Sequence, residues 1–169
     1  MTILETERLR IEEAVIEDAP FFYELLNSPT WIEYIGNRGI KNLDDARSYI
    51  QNSLIASYQT NGFGLYKMVL KSSDDPLGIC GLLQRDYLDH PDIGFAILPQ
   101  YERQGYTHEA AFAILNHAHT HLELQTIYAI TSPNHIASQR LLSKIGMTHI
   151  QTIQPEREEL FLFSIESDD

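Results

Sequence analysis

The stretch of this chain best suited to holding a ligand is a loop with one glycine, Glu102-Arg-Gln-Gly-Tyr-Thr107. Before the loop, residues 93–98 form an apolar run that Pro99 ends, which predicts a buried strand. After Gly105, apolar residues recur at helical spacing as far as Ala118. A helix that begins at such a loop directs free backbone N–H groups and the positive end of its dipole at a ligand. The spacing therefore predicts an anion-binding site, and a diphosphate is the anion that suits it.

The loop lies within two longer patterns that resemble a known family. The first begins Asp92-Ile-Gly-Phe-Ala-Ile-Leu-Pro and runs through the loop to Glu109-Ala110, and the second is Ser132-Pro-Asn-His-Ile-Ala-Ser-Gln-Arg-Leu-Leu-Ser-Lys-Ile-Gly-Met147. They resemble the GNAT N-acetyltransferases, in particular the branch of the ribosomal-protein N-terminal acetyltransferases. The resemblance extends from the opening Thr6-Glu-Arg-Leu-Arg10 to the last predicted strand. It implies that acetyl-CoA is the acetyl donor.

The elements around these motifs are strands and helices in nearly equal measure. Strands are predicted over residues 7–13, 63–70, 77–84, 93–98, 126–131, 147–153 and 159–165. Helices are predicted after Glu17, from the N-cap Asn42 to Asn61, from Gly105 to about His121, and over residues 136–145. Few strand–helix–strand crossovers occur in this order, which favours an α+β fold. We expect one GNAT-like domain, residues 1–169, with a mixed, mostly antiparallel sheet of about seven strands flanked by helices. The resemblance adds a splay between the fourth and fifth strands.

For the acetyl donor, the resemblance implies contacts from the loop, from the splayed strand and from the helix after Pro133. In the family, backbone groups of the loop hold the diphosphate, and the matching residues here are Arg103, Gln104, Gly105, Tyr106 and Thr107. Unpaired backbone groups of the splayed strand meet the pantetheine and the thioester, and the matching residues are Phe95, Ala96 and Ile97. Relatives also carry an asparagine three residues before a serine; His135 stands at that place and Asn134 one residue earlier, so either is a candidate pantetheine contact.

Three of these positions depart from the family pattern. Glu102 stands where relatives carry Gln or Arg, Thr107 replaces a final Gly or Ala, and His135 replaces the asparagine. A carboxylate directed at a diphosphate would weaken binding by on the order of 1 kcal/mol at ~4 Å in water. Because backbone groups make most contacts in such a loop, the changes need not abolish binding. They leave a second interpretation open, a catalytically silent relative that binds CoA or a protein partner.

Acetyl transfer to an amine also requires a hydrogen-bond donor for the departing thiolate and a base for the ammonium group. The resemblance places Ser138, in the Ala-Ser pair of the second motif, beside the leaving sulfur. Asp92 is a candidate base that acts through water, since it opens the central strand where relatives often carry the longer Glu. Glu156 and Glu158, in the turn before the last predicted strand, are alternative acids.

The acceptor side is identified only by position in the resembling family. Its expected lining is Trp31 and Tyr34 in an aromatic segment, together with Arg38, Arg85 and Tyr87. The expected acceptor is a primary amine, either a protein N-terminus or a small molecule. We expect direct attack within a ternary complex, without an acyl-enzyme. Both a monomer and a homodimer are compatible with the sequence.

The charge of the chain narrows the set of partners. Its 12 Lys and Arg residues are outnumbered by 24 Asp and Glu residues, for a formal net charge of −12. Long-range repulsion between such a surface and phosphate backbones excludes nucleic acid as an expected partner. The same acidic surface favours a cationic acceptor such as a protonated amine.

The cysteine, hydropathy and histidine patterns narrow the class of protein and the kinds of site that we expect. The only cysteine, Cys80, lies in an apolar strand and excludes an internal disulfide. No signal peptide is recognisable, and no apolar run approaches the ~18 to 20 residues that span a bilayer, so we expect a cytoplasmic protein without a membrane partner. His117 and His121 are four residues apart on a predicted helix, but no further ligands accompany them, and no metal is expected.

Overall fold

An eight-stranded sheet forms the centre of the computed structural model, which describes residues 1–168. The strands are β1 Thr2–Glu5, β2 Leu9–Glu12, β3 Leu65–Leu70, β4 Pro76–Leu83, β5 Asp92–Ile97, β6 Thr126–Thr131, β7 Thr148–Ile153 and β8 Leu160–Glu166. Their order across the sheet is β1-β2-β3-β4-β5-β6-β8-β7. All neighbours are antiparallel except β5 and β6, which are parallel. The predicted α+β fold with a mixed, mostly antiparallel sheet is confirmed.

The sheet has one strand more than the prediction of about seven, because β1 lies before the first predicted strand. It pairs antiparallel with β2, with Leu4 opposite Ile11. The tight connection is closed by the Thr6 N–H, which donates to the Leu9 carbonyl oxygen at 2.9 Å. Only Ile3 and Leu4 are apolar in this four-residue strand, and both are half-buried. An alternating pattern over so few residues is too short to recognise.

Six α-helices are found within residues 1–168: α1 Ala19–Leu26, α2 Pro29–Tyr34, α3 Leu43–Tyr49, α4 Ala56–Asn61, α5 Tyr106–Thr120 and α6 Ile136–Lys144. A π-helical segment, Ile50–Ile55, joins α3 directly to α4, so the chain is helical over the whole predicted stretch. The predicted N-cap is confirmed, since the Asn42 side chain accepts a hydrogen bond from the Asp45 N–H at 2.8 Å. Gly62 ends α4 in the left-handed conformation, with φ of 78°.

Helices pack on both faces of the sheet and hold β5 in place. On one face, α5 buries Ala110, Ala111 and Ile114 in a cluster with residues of β4 and β6. On the other face, α1 buries Phe22 and Leu25 in a second cluster with residues of α3, β3 and β4. Burial of each such Leu, Ile or Phe side chain contributes about 1.5–3 kcal/mol of transfer free energy. The sheet around β5 is therefore a firm support for a site.

The sheet opens between β5 and β6. Within the described chain these strands pair only at Asp92 and Tyr128, and beyond that pair they diverge. The splay expected between the fourth and fifth strands is thus confirmed, at what is now the boundary of β5 and β6. Residues 94–97 are half-exposed. The prediction of a buried strand is wrong for them, because one flank of β5 lacks a neighbouring strand there.

Candidate active site

The opening exposes backbone groups of β5. The Leu98 N–H donates to the Leu77 carbonyl oxygen at 2.8 Å, and the antiparallel register of β4 and β5 is regular. Alternate residues of β5 therefore direct their backbone groups toward β4. By this alternation the N–H and C=O groups of Phe95 and Ile97 face the opening, whereas those of Ala96 face β4. The main chain brings two of the three predicted residues to the opening, and turns Ala96 away because neighbouring residues of a strand point in opposite directions.

The loop before α5 presents uncapped N–H groups. Arg103 and Gly105 adopt left-handed conformations, with φ of 64° and 82°. No side chain caps α5, and its first intrahelical bond runs from the Glu109 N–H to the Gly105 carbonyl oxygen at 3.1 Å. The N–H groups of residues 105–108 consequently have no intrahelical acceptor. This arrangement has the features of the predicted anion site.

A clamp from the β1–β2 connection holds this loop. Arg8 Nε donates to Glu109 Oε1 at 2.8 Å, while the Arg8 N–H and the Thr6 hydroxyl donate to Glu109 Oε2 at 2.9 and 2.5 Å. Arg8 Nη1 donates to the Gln104 carbonyl oxygen at 2.9 Å, and the guanidinium carbon lies 4.3 Å from the centre of the Tyr106 ring. The clamp fixes the loop, and within it the Arg8 charge is paired with that of Glu109. Sequence reasoning missed this role, although Thr6, Arg8 and Glu109 all belong to the resembling motifs.

The Glu102 carboxylate is bound from the side of α2. The Thr30 hydroxyl donates to Glu102 Oε1 at 3.3 Å. Thr107, the other departure in the loop, lies half-buried in the first turn of α5. The Glu102 carboxylate is thus engaged by an element other than the loop and α5.

His135 stands at the start of α6 and is covered by α2. Its ring stacks on the ring of Tyr34, with 3.7 Å between centres and 7° between planes. Burial lowers the pKa of His135, although the negative charges of Glu33 and Glu102 act in the opposite direction. The neutral imidazole therefore predominates at neutral pH. Asn134 is exposed, so His135 is the more enclosed of the two candidate residues.

Ser138 lies in the first turn of α6 and is only 8% exposed. Within residues 1–168 no hydrogen bond from its hydroxyl to another residue is found, although a helical serine can bond the preceding turn. The turn before it is fixed by Gln139 Nε2, which donates to the Ser132 and Pro133 carbonyl oxygens at 3.1 and 2.9 Å. A hydroxyl held in this way can donate to a ligand atom.

Asp92 begins β5 and is joined to Arg85. Arg85 Nε lies 3.1 Å from both Asp92 carboxylate oxygens. The Asp92 side chain is 1% exposed, while that of Arg85 is 31% exposed and covers it. Burial raises the pKa of Asp92 to about 6, and the Arg85 charge opposes the rise without cancelling it. Asp92 is therefore ionised for the most part at neutral pH yet has the proton affinity of a general base.

The other residues predicted for the acceptor side differ in exposure. Trp31 is buried in the α1–α3 cluster, and its indole N–H has no acceptor within residues 1–168. Tyr34 packs on His135, as described above. Arg38 and Tyr87 are exposed. The hydroxyl of Tyr87 lies beside the Arg85 guanidinium, so Arg85, Tyr87 and Asp92 form one group.

An open groove of about 780 Å³ is lined in part by Tyr128, the strand partner of Asp92, and by the acidic residues Glu166 and Asp168. It lies on the face of β6, β8 and β7 opposite α6, and Tyr128, Thr148 and Ser164 contribute to its lining. The His90 ring packs edge-on against Tyr128, 5.2 Å between centres. The sequence offers no signal for the groove beyond a tyrosine within an otherwise aliphatic strand.

Glu156 and Glu158 are not gathered with the other candidates. Both are exposed in the turn between β7 and β8, which follows the pair formed by Ile153 and Leu160. Asp92, by contrast, lies in the part of β5 that still pairs with β6. Of the three predicted carboxylates, only Asp92 is buried within the site.

Acidic residues are absent from one continuous part of the sequence. None of the 24 Asp and Glu residues falls between Glu123 and Glu156. This stretch forms β6, α6 and β7, and includes His135 and Ser138. In a chain of net charge −12, these elements therefore add no carboxylate of their own, although the charges of Glu33 and Glu102 act on His135.

His117 and His121, four residues apart at the end of α5, stack their rings with 4.9 Å between centres. Within the part of the chain that the structure describes, no three His, Cys, Asp or Glu side chains come together as metal ligands. Likewise, none of the helices in residues 1–168 has the length and apolar character needed to cross a bilayer.

Comparison with known proteins identifies the family. The Acetyltransferase (GNAT) domain matches residues 8–148, and the chain belongs to the GNAT acetyltransferase family. It is an acyltransferase enzyme, similar to proteins named as N-acetyltransferases. One of them, the uncharacterized N-acetyltransferase YnaD of Bacillus subtilis, is 28% identical over 143 residues, which cover 84% of this chain and 80% of YnaD.

Solved structures share the fold over almost the whole chain. A GNAT-family acetyltransferase from Bacillus anthracis has a TM-score of 0.83 at 22% identity and covers 100% of both chains. The ribosomal L7/L12 alpha-N-protein acetyltransferase RimL, in complex with coenzyme A, has a TM-score of 0.84 at 13% identity and covers 99% of both. GNAT acetyltransferases use acetyl-CoA and act on amine acceptors.

Proposed function

We propose that this enzyme transfers an acetyl group from acetyl-CoA to a primary amine by direct attack in a ternary complex. The observation that carries the proposal is the opening between β5 and β6. Along one strand it aligns the buried carboxylate of Asp92, the unpaired backbone groups of Phe95 and Ile97, and the uncapped start of α5. The acceptor is a small-molecule amine or a protein N-terminus, and the groove lined by Tyr128 has room for either.

The residues present fit acetyl-CoA. The N–H groups of residues 105–108 suit the diphosphate, and Arg103 adds positive charge beside them. The backbone groups of Phe95 and Ile97 suit the amides of the pantetheine. A neutral His135 offers one donor and one acceptor near the same path. The acid-free stretch from residue 124 to 155 adds no carboxylate that would repel the anionic ligand.

Each residue then has a defined part in the transfer. Acetyl-CoA supplies the acetyl group as a thioester. Asp92 takes a proton, through a water molecule, from the ammonium form of the acceptor, whose nitrogen bonds to the carbonyl carbon as the C–S bond breaks. The N–H of Phe95 or Ile97 stabilises the negative charge that develops on the carbonyl oxygen. After the attack the nitrogen loses its second proton to solvent, which leaves the neutral amide. The Ser138 hydroxyl donates a hydrogen bond to the departing thiolate, which takes up a proton from solvent.

A covalent route through cysteine is not supported by the structure. Cys80 is the only cysteine, and it is fully buried in β4. Burial also raises its pKa, which disfavours the nucleophilic thiolate. Direct attack by the amine therefore remains the route that the site supports.

Initial-rate kinetics test the proposal. The release of CoA thiol is measured while acetyl-CoA and a primary amine are varied together. A ternary complex predicts double-reciprocal lines that intersect, and thiol release that depends on the amine. Parallel lines would indicate an acyl-enzyme, and amine-independent release would indicate simple hydrolysis. Either result would contradict the proposal.

A further inference from the structure

Arg85 is bound to Asp92 through one of its donor groups, and the Tyr87 hydroxyl lies beside the rest of the guanidinium. A single N–H group, that of Nε, serves both carboxylate oxygens of Asp92 at 3.1 Å. Within residues 1–168, Nη1 and Nη2 make no hydrogen bond to a carboxylate. Since the Asp92 side chain is 1% exposed and that of Arg85 31%, solutes reach the pair from the side of Arg85.

Two other arginines of this chain, Arg8 and Arg10, use their Nη groups in bonds within the protein. Each engages an Nη group as well as Nε. A guanidinium that presents its two Nη groups together matches the two oxygens of a carboxylate or phosphate group. Arg85 thus retains the part of the side chain that recognises anions.

The surroundings of Arg85 add a second positive charge. Tyr49, on α3, is largely buried, and burial raises its pKa, while the charges of Arg38 and Arg85 both oppose the rise. The two guanidiniums therefore lie near the same phenol group. Asp92 neutralises Arg85, but Arg38 makes no ion pair within the described residues.

We propose that Arg85 binds an anionic group of the acceptor, so that the substrate is a primary amine that also carries a carboxylate or phosphate group. This inference rests on the proposed acetyl transfer. Asp92 both accepts the proton and touches Arg85, so the amine and the anionic group must lie within a few bonds of each other. The acceptor class is then amino-acid-like or amino-phosphate-like, and simple alkylamines and polyamines are poor substrates.

Two matched pairs of acceptors test the inference: β-alanine against n-propylamine, and phosphoethanolamine against ethanolamine. In at least one pair we expect kcat/KM to be about tenfold to a hundredfold higher for the anionic member, the size of a charge-assisted hydrogen-bonded contact. The pair that shows the preference distinguishes a carboxylate from a phosphate. Equal rates in both pairs, or a preference for the uncharged members, would overturn the inference.

Variants test whether the preference for an anionic acceptor depends on Arg85. In Arg85→Met the ratio of the two kcat/KM values should fall toward one. Arg47→Met is the matched control, because Arg47 forms an exposed ion pair with Asp44 on α3, and its ratio should equal that of the wild type. Arg85→Met leaves a buried carboxylate without its partner, so Arg85→Lys is measured as well. It keeps the charge and loses the paired Nη groups, and an intermediate ratio is expected.

The outcomes separate this inference from the proposed function. If the uncharged amines are acetylated as well as the anionic ones, acetyl transfer stands and the role of Arg85 is wrong. An anion preference that survives in Arg85→Met would also overturn that role. If no amine of either pair promotes CoA release, the proposed transfer itself fails, and the inference about its acceptor fails with it.

Discussion

The two sides of the opening between β5 and β6 are built differently. On the proposed donor side, meaning Phe95, Ile97 and residues 102–107, the groups available to a ligand belong to the backbone. On the proposed acceptor side, meaning Asp92, Arg85 and Tyr87, they belong to side chains, one of them a buried carboxylate. Backbone groups are the same whatever the residue type. The donor side can therefore accept changes of side chain that would disable the acceptor side.

This difference explains how the donor side can accept the departures from the family pattern at Glu102, Thr107 and His135. Glu102 is engaged by Thr30, and His135 packs on Tyr34. Neither change alters the direction of an N–H group in the loop. A catalytically silent protein would be expected to lose the buried ion pair of the acceptor side, and that pair is present.

Among the substitutions, Asp92→Asn should have the largest effect on the rate of acetyl transfer. Loss of the base should lower kcat about a hundredfold to ten-thousandfold, with little change in the affinity for CoA. Because the pKa of Asp92 is raised to about 6, wild-type kcat/KM should fall as the pH drops through 6, when the carboxylate becomes protonated. That acidic limb should be lost in the variant. The measurement is a pH–rate profile for both proteins.

Asp89→Asn is the control for that substitution, since Asp89 is an exposed carboxylate in the loop just before β5. Its rate should match that of the wild type. A similar rate for Asp92→Asn and the wild type would show that the buried carboxylate serves only to hold Arg85.

Ser138→Ala is expected to have the next largest effect. Without a hydrogen bond to the thiolate, kcat should fall about tenfold to a hundredfold, while the dissociation constant of CoA stays nearly constant. Ser143→Ala, at an exposed serine of the same helix, is the control. Steady-state kinetics and calorimetric binding separate the two quantities, and equal rates for both variants would remove Ser138 from the mechanism.

Gly105→Val tests whether the donor side depends on backbone conformation. A side chain at φ of 82° costs roughly 1–2 kcal/mol and displaces the N–H groups, so the dissociation constant of CoA should rise about tenfold. Gly62→Val imposes the same strain at φ of 78°, at the end of α4, and should leave CoA binding unchanged. Equal affinities for the two variants, measured by calorimetry, would show that the loop does not hold the diphosphate.

Glu102→Gln should have the smallest effect. The carboxylate is engaged by Thr30, so its charge should alter CoA affinity by less than about threefold, the size of a screened surface interaction. Calorimetric titration with CoA measures the change. A tenfold increase in affinity would show instead that Glu102 faces the diphosphate and weakens its binding.

Much of the fold can be predicted from the spacing of apolar residues along the sequence. Helical spacing locates α5 and α6, and the Asn42 cap locates the start of α3. Two features could not be predicted this way. β1 is too short to show an alternating pattern, and Phe112, at an apolar position of α5, is 59% exposed because the helix buries its alanine side against the sheet.

The sequence predicts which residues belong to the proposed site, but it does not predict how their groups are arranged in space. Which of Phe95, Ala96 and Ile97 faces the opening depends on the register with β4, and register is a property of two strands. The bond between Arg8 and Glu109 joins residues 101 positions apart, so no local pattern contains it. The pairing of Arg85 with Asp92 likewise depends on the loop between β4 and β5 folding back.

The most direct test of the account is the thermal unfolding midpoint of the wild type and of Gly105→Val, with and without acetyl-CoA. At a concentration of about 100 times the dissociation constant, binding should stabilise the wild type by about 2.7 kcal/mol. For a chain of this size, that raises the midpoint by roughly 5 to 10 °C. We predict this rise for the wild type and a clearly smaller one for Gly105→Val at the same concentration. No rise in the wild type, or equal rises in both proteins, would contradict the assignment of the donor side.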